Sequence, residues 1–187
     1  MSLDMEQACR DVRDVLCRDV VLRNDGVLEC CLDAESNITH LKTLRDDPRT
    51  KMRVMTDVFA VDYYSRTKRF EVVYMLLSIV YNARLCCKVS LEEGQKIQSA
   101  LPVYGTAGWF EREIYDMYGI EFNGHPDLRR ILTDYGFSGH PMLKDFPLTG
   151  YEEIKYDFQT GKVAYKPVDL QQNFRYFNSM SPWKGSR

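Results

Sequence analysis

The residues with the greatest capacity for chemistry lie close together in the segment 109–144. Its first third is a short, highly charged stretch, and the remainder combines two Gly-His-Pro turns with further charged and aromatic residues. Carboxylates beside a histidine can act as general acid and base, or they can bind a metal ion. One hypothesis is therefore a stand-alone metal-dependent hydrolase. Its active site would hold Glu111, Glu113, Asp116 and His125.

The spacing of these residues favours a structural role over catalysis. The segment has no His-x-x-x-His pair, no Asp-x-Asp pair, and no Ser or Cys in a nucleophile motif. A solvated charged face and a phosphate site at Arg129 and Arg130 are alternatives. The favoured interpretation is a network of ion pairs and hydrogen bonds, within the chain or across an interface, that fixes the loop. Its members would be Glu111, Arg112, Glu113, Asp116, His125, Asp127, Arg129, Arg130, Asp134, His140, Lys144 and Asp145.

A helix over residues 107–118 would position the first part of this network. Phe110, Ile114 and Met117 recur at i, i+4 and i+7, which predicts one apolar stripe by which the helix docks. We therefore expect the charged residues to lie away from the docking surface. Gly119 follows and can take the left-handed conformation that ends a helix.

The chain before this helix predicts an α+β domain with a mainly antiparallel sheet and flanking helices over residues 1–118. Asn24-Asp25-Gly26 between two β-favouring runs indicates a hairpin. The expected helices cover 3–18, 36–45 and 92–100. The expected strands cover 20–22, 27–32, 54–64, 70–80 and 84–91, and the last two are expected to form a hairpin through the turn at 81–83.

The composition changes at Gly119. Residues 119–187 hold 7 of the 11 glycines, 5 of the 7 prolines and 12 of the 23 aromatic residues. Frequent glycine and proline break regular elements, yet so many aromatic rings need a surface on which to be buried. The sequence therefore predicts that residues 119–187 form a long, extended, irregular arm that wraps a partner subunit.

Charge and composition exclude several other classes of protein. With a net charge of -2, the chain lacks the basic excess of a general nucleic-acid binder. No apolar run reaches the roughly 18 residues that span a bilayer, and the acidic N-terminus does not resemble a secretory signal. The six cysteines match no zinc or iron–sulfur spacing, which favours small buried hydrophobic residues in a reducing compartment. In each adjacent pair, we expect one cysteine in the core.

Several longer motifs are specific in their order and spacing. They are Glu111-Arg112-Glu113-x-x-Asp116-Met117-Tyr118, His125-Pro126-Asp127-Leu128-Arg129-Arg130-Ile131-Leu132, Lys144-Asp145-Phe146-Pro147-Leu148, and upstream Val61-Asp62-Tyr63 and Arg69-Phe70-Glu71. In these motifs the chain closely resembles the thirty-kilodalton (C-subunit) family of respiratory complex I (NADH:quinone oxidoreductase), called subunit 9 in many mitochondria. The resemblance covers roughly residues 38–183. Leu143 and Lys166 depart from the usual family residues, and each departure changes a charge.

The resemblance implies a core, non-catalytic subunit of the hydrophilic arm, in the quinone-side module. The complex uses FMN, iron–sulfur clusters, NADH and ubiquinone and couples electron transfer to proton translocation, whereas family members themselves bind no cofactor. The implied partners are the large quinone-module subunit and the subunit that carries the terminal iron–sulfur cluster. The implied location is peripheral, on the matrix side of the mitochondrial inner membrane or the cytoplasmic face of a bacterial plasma membrane.

Overall fold

The computed structural model describes residues 5–172 and Arg175. The chain forms two compact units, the first ending at Phe146 (unit 1) and the second beginning at Pro147 (unit 2). In order, the elements are α1 (Met5–Leu16), β1 (Val20–Leu22), β2 (Leu28–Leu32), α2 (Asn37–Asp46), β3 (Val54–Asp62), β4 (Phe70–Ser78), β5 (Ala83–Leu91), β6 (Ile97–Gln98), α3 (Ala107–Tyr118), β7 (Phe122–Asn123), β8 (Glu152–Asp157) and β9 (Lys162–Pro167).

Unit 1 is built on a five-stranded sheet with the order β1-β2-β5-β4-β3. Three neighbouring pairs are antiparallel, and β2 with β5 is parallel. The parallel pair arises because α2, β3 and β4 intervene along the chain between β2 and β5. The predicted α+β class and mainly antiparallel sheet are confirmed, as are the hairpin at Gly26 and the hairpin formed by β4 and β5.

The core of unit 1 joins the sheet to all three helices. Leu28, Tyr74 and Leu85 from the strands are fully buried, together with Leu44 of α2, and Val12 of α1 is almost so. Removing apolar side chains of this size from water stabilises the folded state by about 1.5–3 kcal/mol each. Ile114 of α3 is buried in the same core.

The helix predicted over residues 92–100 is wrong. Gly94 has a φ of 78° in a turn, and Ile97–Gln98 instead forms the short strand β6. This strand pairs in parallel with Phe122–Asn123, which follows α3. A pairing between residues so far apart in the chain overrides the local preference for a helix.

The cysteines divide between the core and the surface, and all six are free. Cys30 is buried while Cys31 is exposed, as the alternation of a strand predicts. Cys86 and Cys87 are both buried, so the same prediction is wrong for that pair. Burial on both faces of β5 explains the difference.

Unit 2 contains a regular hairpin, whereas the sequence predicted an irregular arm in this region. Strands β8 and β9 pair antiparallel, from Glu152 opposite Pro167 to Asp157 opposite Lys162. Residues 173–174 and 176–187 of the predicted arm lie outside the described residues. In the part of the chain that is described, no helix has the length and apolar character needed to cross a membrane.

The boundary between the two units lies after Phe146, whereas the sequence predicted a domain boundary after Tyr118. Residues 119–146, named here the anchored loop, belong to unit 1 because hydrogen bonds and ion pairs attach them to α3 and to the sheet. That residues 119–187 wrap a partner stays a prediction.

Candidate functional site

Helix α3 ends where the anchored loop begins. Gly119 has a φ of 76°, and its N–H donates to the carbonyl of Tyr115 at 2.9 Å, as predicted for a left-handed helix end. A Cβ added to Gly119 would lie 2.7 Å from Nε2 of His140. Only glycine therefore suits this position, because both the backbone conformation and the packed imidazole exclude a side chain.

Asp116 is the first anchor of the loop, and its side chain is fully buried. Its Oδ2 accepts hydrogen bonds from three successive backbone N–H groups, those of Ile131 at 3.0 Å, Leu132 at 2.7 Å and Thr133 at 2.9 Å. Its Oδ1 accepts from Arg130 at 2.9 Å and from the Thr133 hydroxyl. One carboxylate thus replaces the water that this turn of backbone would otherwise bind.

The hydrogen bonds of Asp116 keep it ionised. Burial alone would raise its pKa, but the Thr133 hydroxyl and the three backbone N–H groups outweigh burial and hold the pKa well below its usual range. Arg130 extends the anchor, because its second guanidinium nitrogen donates to the carbonyl of Gly139 at 2.9 Å. The network predicted between Asp116 and Arg130 is therefore present within the chain.

His140 attaches the next part of the loop to the same helix. Its Nδ1 lies 2.9 Å from the carbonyl oxygen of Asp116, so this nitrogen carries the proton and donates. The N–H of Met142 donates to the carbonyl of Met117 at 3.1 Å. The ring of Tyr115 meets the imidazole edge to face, with centroids 6.3 Å apart. His140 acts here as a hydrogen-bonded packing residue of the turn.

A second anchor joins the end of the loop to the sheet. Asp62 at the end of β3 accepts two hydrogen bonds from Arg69, each 2.9 Å long, and one from the N–H of Lys144 at 2.8 Å. Arg69 also bonds Asp145 at 2.6 Å and Glu93 at 3.4 Å. The Arg69 guanidinium is the chief reason that the pKa of Asp62 lies below its usual range. The sequence predicted Lys144 and Asp145 as members of a network, but it did not identify Asp62 or Arg69 as their partners.

Glu111 lies on the buried face of α3, which contradicts the predicted exposure of the charged residues. Its side chain accepts from the Ser99 hydroxyl and from the N–H of Ala100, both at 2.6 Å, and its exposed fraction is zero. In the described part of the chain no cation pairs with it. Burial therefore raises its pKa to about 7, although the two hydrogen bonds oppose the change.

The rest of the helix surface also differs from the predicted pattern. Arg112 and Asp116 are buried, whereas Phe110 and Met117 of the predicted apolar stripe are only partly buried. Ile114 is buried as expected. The buried face thus combines apolar and charged side chains, because polar groups elsewhere in the chain satisfy the carboxylates.

A more exposed group surrounds His125. Its Nε2 lies 3.1 Å from the carbonyl of Gly108, and its Nδ1 accepts the N–H of Asp127 at 3.1 Å, so Nε2 carries the proton. Arg129 bonds the Asp127 carboxylate at 3.0 Å, while Arg112 lies 4.0 Å from it. These contacts join residues of the predicted network, and the exposed pair of Arg129 with Asp127 contributes about 0–1 kcal/mol.

Two residues of the predicted network, Glu113 and Asp134, lie apart from these groups. Glu113 is exposed, and among the described residues it forms no ion pair. Asp134 accepts the N–H of Tyr135 at 2.8 Å and has further interactions within the chain.

The four residues of the hydrolase hypothesis do not share one site. Glu111 and Asp116 are buried and bonded to different segments, His125 bonds Gly108, and Glu113 faces solvent. In residues 5–172 no group of three His, Cys, Asp or Glu is placed to hold a metal ion. The geometry favours anchoring of the loop over catalysis.

Comparisons with known sequences agree on one family. Residues 30–152 match the family described as the 30 Kd subunit of respiratory-chain NADH dehydrogenase. The C subunit of NADH-quinone oxidoreductase from Wolbachia sp. subsp. Brugia malayi (strain TRS) is 53% identical over 167 residues, which cover 89% of this chain and 88% of that protein. The protein of the same name from Brucella abortus (strain 2308) is 53% identical over 161 residues, covering 86% and 80%.

The solved structures that resemble the chain include the following two. The trypsin-resistant fragment (1-134) of Nqo5 matches with a TM-score of 0.53 and 26% identity, over 66% of this chain and 98% of the fragment. A chain of the membrane-bound sulfane sulfur reductase, an archaeal respiratory membrane complex, matches with a TM-score of 0.65 and 21% identity, over 76% and 85%. The second similarity concerns the fold alone.

Proposed function

The chain belongs to the 30-kDa subunit family of respiratory-chain NADH dehydrogenase, and from this premise we propose that it is a core, non-catalytic subunit of the enzyme's hydrophilic arm. Its place is the quinone-side module. There it supports electron transfer from NADH to quinone, coupled to proton translocation, without contributing reacting groups. The observation that carries this proposal is the 53% identity to the C subunit of an NADH-quinone oxidoreductase over 89% of the chain.

The way in which the chain uses its charged residues supports a structural role. Asp116 and Asp62 each fix a part of the anchored loop, and Glu111 binds the backbone and hydroxyl groups before α3. Each of these three carboxylates accepts hydrogen bonds from other groups of this chain. In the proposed role, the anchors hold the loop in one shape that a neighbouring subunit recognises.

Unit 2 supplies an apolar face that suits a partner. Ile154, Tyr156, Val163 and Tyr165 lie on one face of the hairpin, and between 49% and 59% of each side chain is exposed. The opposite face is charged, with an ion pair between Glu153 and Lys166. An isolated two-stranded hairpin is marginally stable in water, and packing against another surface stabilises it. We infer that the apolar face packs on another subunit of the enzyme.

One solved relative gives a parallel for this arm. The Nqo5 structure is of a trypsin-resistant fragment, and it matches 66% of the present chain. Under the proposal, unit 1 is the protease-resistant part of this chain and unit 2 is protected once its partner is bound. Lys155 and Lys162 supply trypsin sites in the hairpin itself.

The partners, cofactors and location follow from the proposed place in the enzyme. The partners are the large quinone-module subunit and the subunit with the terminal iron–sulfur cluster. Other subunits, including the one with the terminal iron–sulfur cluster, hold the FMN and iron–sulfur clusters, and this chain holds none. The chain is peripheral to the membrane, on the matrix side in mitochondria or on the cytoplasmic side in bacteria.

Affinity purification of the tagged full-length chain from its own cells tests the proposal. We expect iron–sulfur subunits and NADH:quinone oxidoreductase activity to co-purify with it. Arg112→Ala should reduce the co-purified activity while the isolated chain keeps its circular dichroism spectrum, whereas Arg129→Ala, which changes an exposed neighbour, should reduce it less. Purification of the chain without any redox subunit would contradict the proposal. Full assembly of the Arg112 variant would contradict the role of that residue.

A further inference from the structure

Two buried cysteines from different parts of the chain lie side by side in the sheet. Cys30 of β2 is directly opposite Cys87 of the parallel strand β5, and their sulfur atoms are 3.5 Å apart. Their exposed fractions are 2% and 0%. Neighbouring strands are about 4.7–4.9 Å apart, which lies within the range of Cα separations that a disulfide spans.

The other cysteines do not share this geometry. In the described part of the chain, only Cys30 and Cys87 form a sulfur–sulfur contact. Cys31 is opposite Lys88, and Cys86 is opposite Glu29. These two cysteines therefore offer a matched comparison, since each neighbours a member of the pair in the sequence and lacks its partner.

Cys30 also borders a surface cavity. The cavity measures about 840 Å³, and its walls include Cys17, Cys30 and Cys31 near the end of α1 and the strands β1 and β2. Strand β1 has only three residues and forms the edge of the sheet, so local opening there needs few broken hydrogen bonds. Cys30, rather than Cys87, is thus the member of the pair that lines this cavity.

We propose that Cys30 and Cys87 form a redox-active dithiol that a peroxide converts to a disulfide joining β2 to β5. The Cys30 sulfur attacks one peroxide oxygen and the O–O bond breaks, which gives a sulfenic acid, while the Cys30 proton passes to the departing hydroxide to form water. The Cys87 sulfur then attacks the Cys30 sulfur, the S–O bond breaks, and the Cys87 proton passes to the departing hydroxide, which leaves as water. In total, two thiols and one hydrogen peroxide give one disulfide and two molecules of water.

The two thiols have different parts in this reaction. The hydrogen bond with Cys30 and burial together raise the pKa of Cys87 well above its ordinary value, so this residue stays a thiol until its partner is oxidised. Cys30 reacts first because it borders the cavity. The bond closes a long loop between β2 and β5. It should raise the Tm of unit 1 by roughly 10 °C, on the loop-entropy estimate.

Peptide mapping of the full-length chain tests the proposal. The reduced protein is treated with hydrogen peroxide, its remaining thiols are alkylated, and it is digested with trypsin without reduction. A link should join peptide 24–42, which contains Cys30 and Cys31, to peptide 85–88, which contains Cys86 and Cys87. We expect four of the six thiols to remain and dithiothreitol to restore the other two.

Two double variants identify the linked residues. The link should persist in Cys31→Ser/Cys86→Ser and disappear in Cys30→Ala/Cys87→Ala. A link that survives in the second variant, or oxidation confined to the exposed Cys17 and Cys31, would overturn the proposal. Fragmentation of the linked wild-type peptides assigns the same bond without any substitution. An oxidised chain whose Tm does not rise would contradict a disulfide that fits the sheet.

Discussion

Replacement of Glu111 by glutamine should remove a pH dependence from the stability of unit 1. The Glu111 carboxyl is fully buried, and its pKa is about 7 in the folded chain against an ordinary value of 4.5. Between these two values the unfolded chain has released the proton and the folded chain has kept it. The free energy of unfolding therefore falls as the pH rises through this window and is constant above it.

The magnitude follows from the difference between the two pKa values. Each unit corresponds to about 1.4 kcal/mol, so the wild-type chain should lose about 3 kcal/mol of stability between pH 4.5 and pH 7. Glutamine stays neutral throughout. Its carbonyl can accept the Ala100 N–H, and its amide can donate to the Ser99 hydroxyl, as a protonated Glu111 would. The variant should match the wild type near pH 4.5 and exceed it by about 3 kcal/mol at pH 8.

Urea unfolding at half-unit pH steps, followed by circular dichroism, measures this difference. Glu113→Gln is the matched control, because it makes the same chemical change on the same helix at an exposed position. We expect the control to follow the wild-type pH dependence. If the wild type and the Glu111 variant ran parallel from pH 4.5 to pH 8, Glu111 would be ionised in the fold across that range, and the assignment of a buried neutral carboxyl would be refuted.

Three further substitutions test the anchors of the loop. Asp116→Ala should lower the free energy of unfolding, measured in urea, by about 3–5 kcal/mol, because Arg130 and three backbone N–H groups lose a buried acceptor. The control Asp127→Ala removes an exposed carboxylate and should cost under about 1 kcal/mol in the same assay. Arg69→Ala should cost a similar 3–5 kcal/mol in the same assay by leaving the buried Asp62 unpaired, and a loss under about 1 kcal/mol would contradict that anchor. Gly119→Ala should lower the Tm more than Gly124→Ala, since both have a φ near 80° but only the former meets His140; equal losses would argue against that contact.

Local sequence patterns were sufficient for most regular elements. The Asp-Gly turn, the β4–β5 hairpin, and helix α3 with its terminal glycine all depend on residues close together in the chain, and the structure confirms them. The helix expected at 92–100 is wrong because strand β6 pairs with residues beyond α3. The partner of a two-residue strand cannot be identified from its own composition.

The buried charges required information that the sequence pattern did not contain. Apolar periodicity treats Glu111 and Asp116 as surface residues, yet donors at Ser99 and at residues 131–133 allow both to be buried. Asp116 and Arg130 do lie in contact, and the sequence placed both in one network because opposite charges are abundant nearby. The pairing of Asp62 with Arg69 was missed, because the two residues lie in separate upstream motifs and only the register of the hairpin brings them together.

Limited trypsin digestion, compared between the free chain and the chain in the purified NADH:quinone oxidoreductase, tests most directly whether this protein is a subunit that a partner completes. The cleavage sites to follow are Lys155 and Lys162 of the unit 2 hairpin. We expect rapid cleavage at these sites in the free chain, with unit 1 resistant, and strong protection of the same sites in the enzyme. Equal protection of the hairpin in the free chain, or equal cleavage in both samples, would contradict a partner-bound arm.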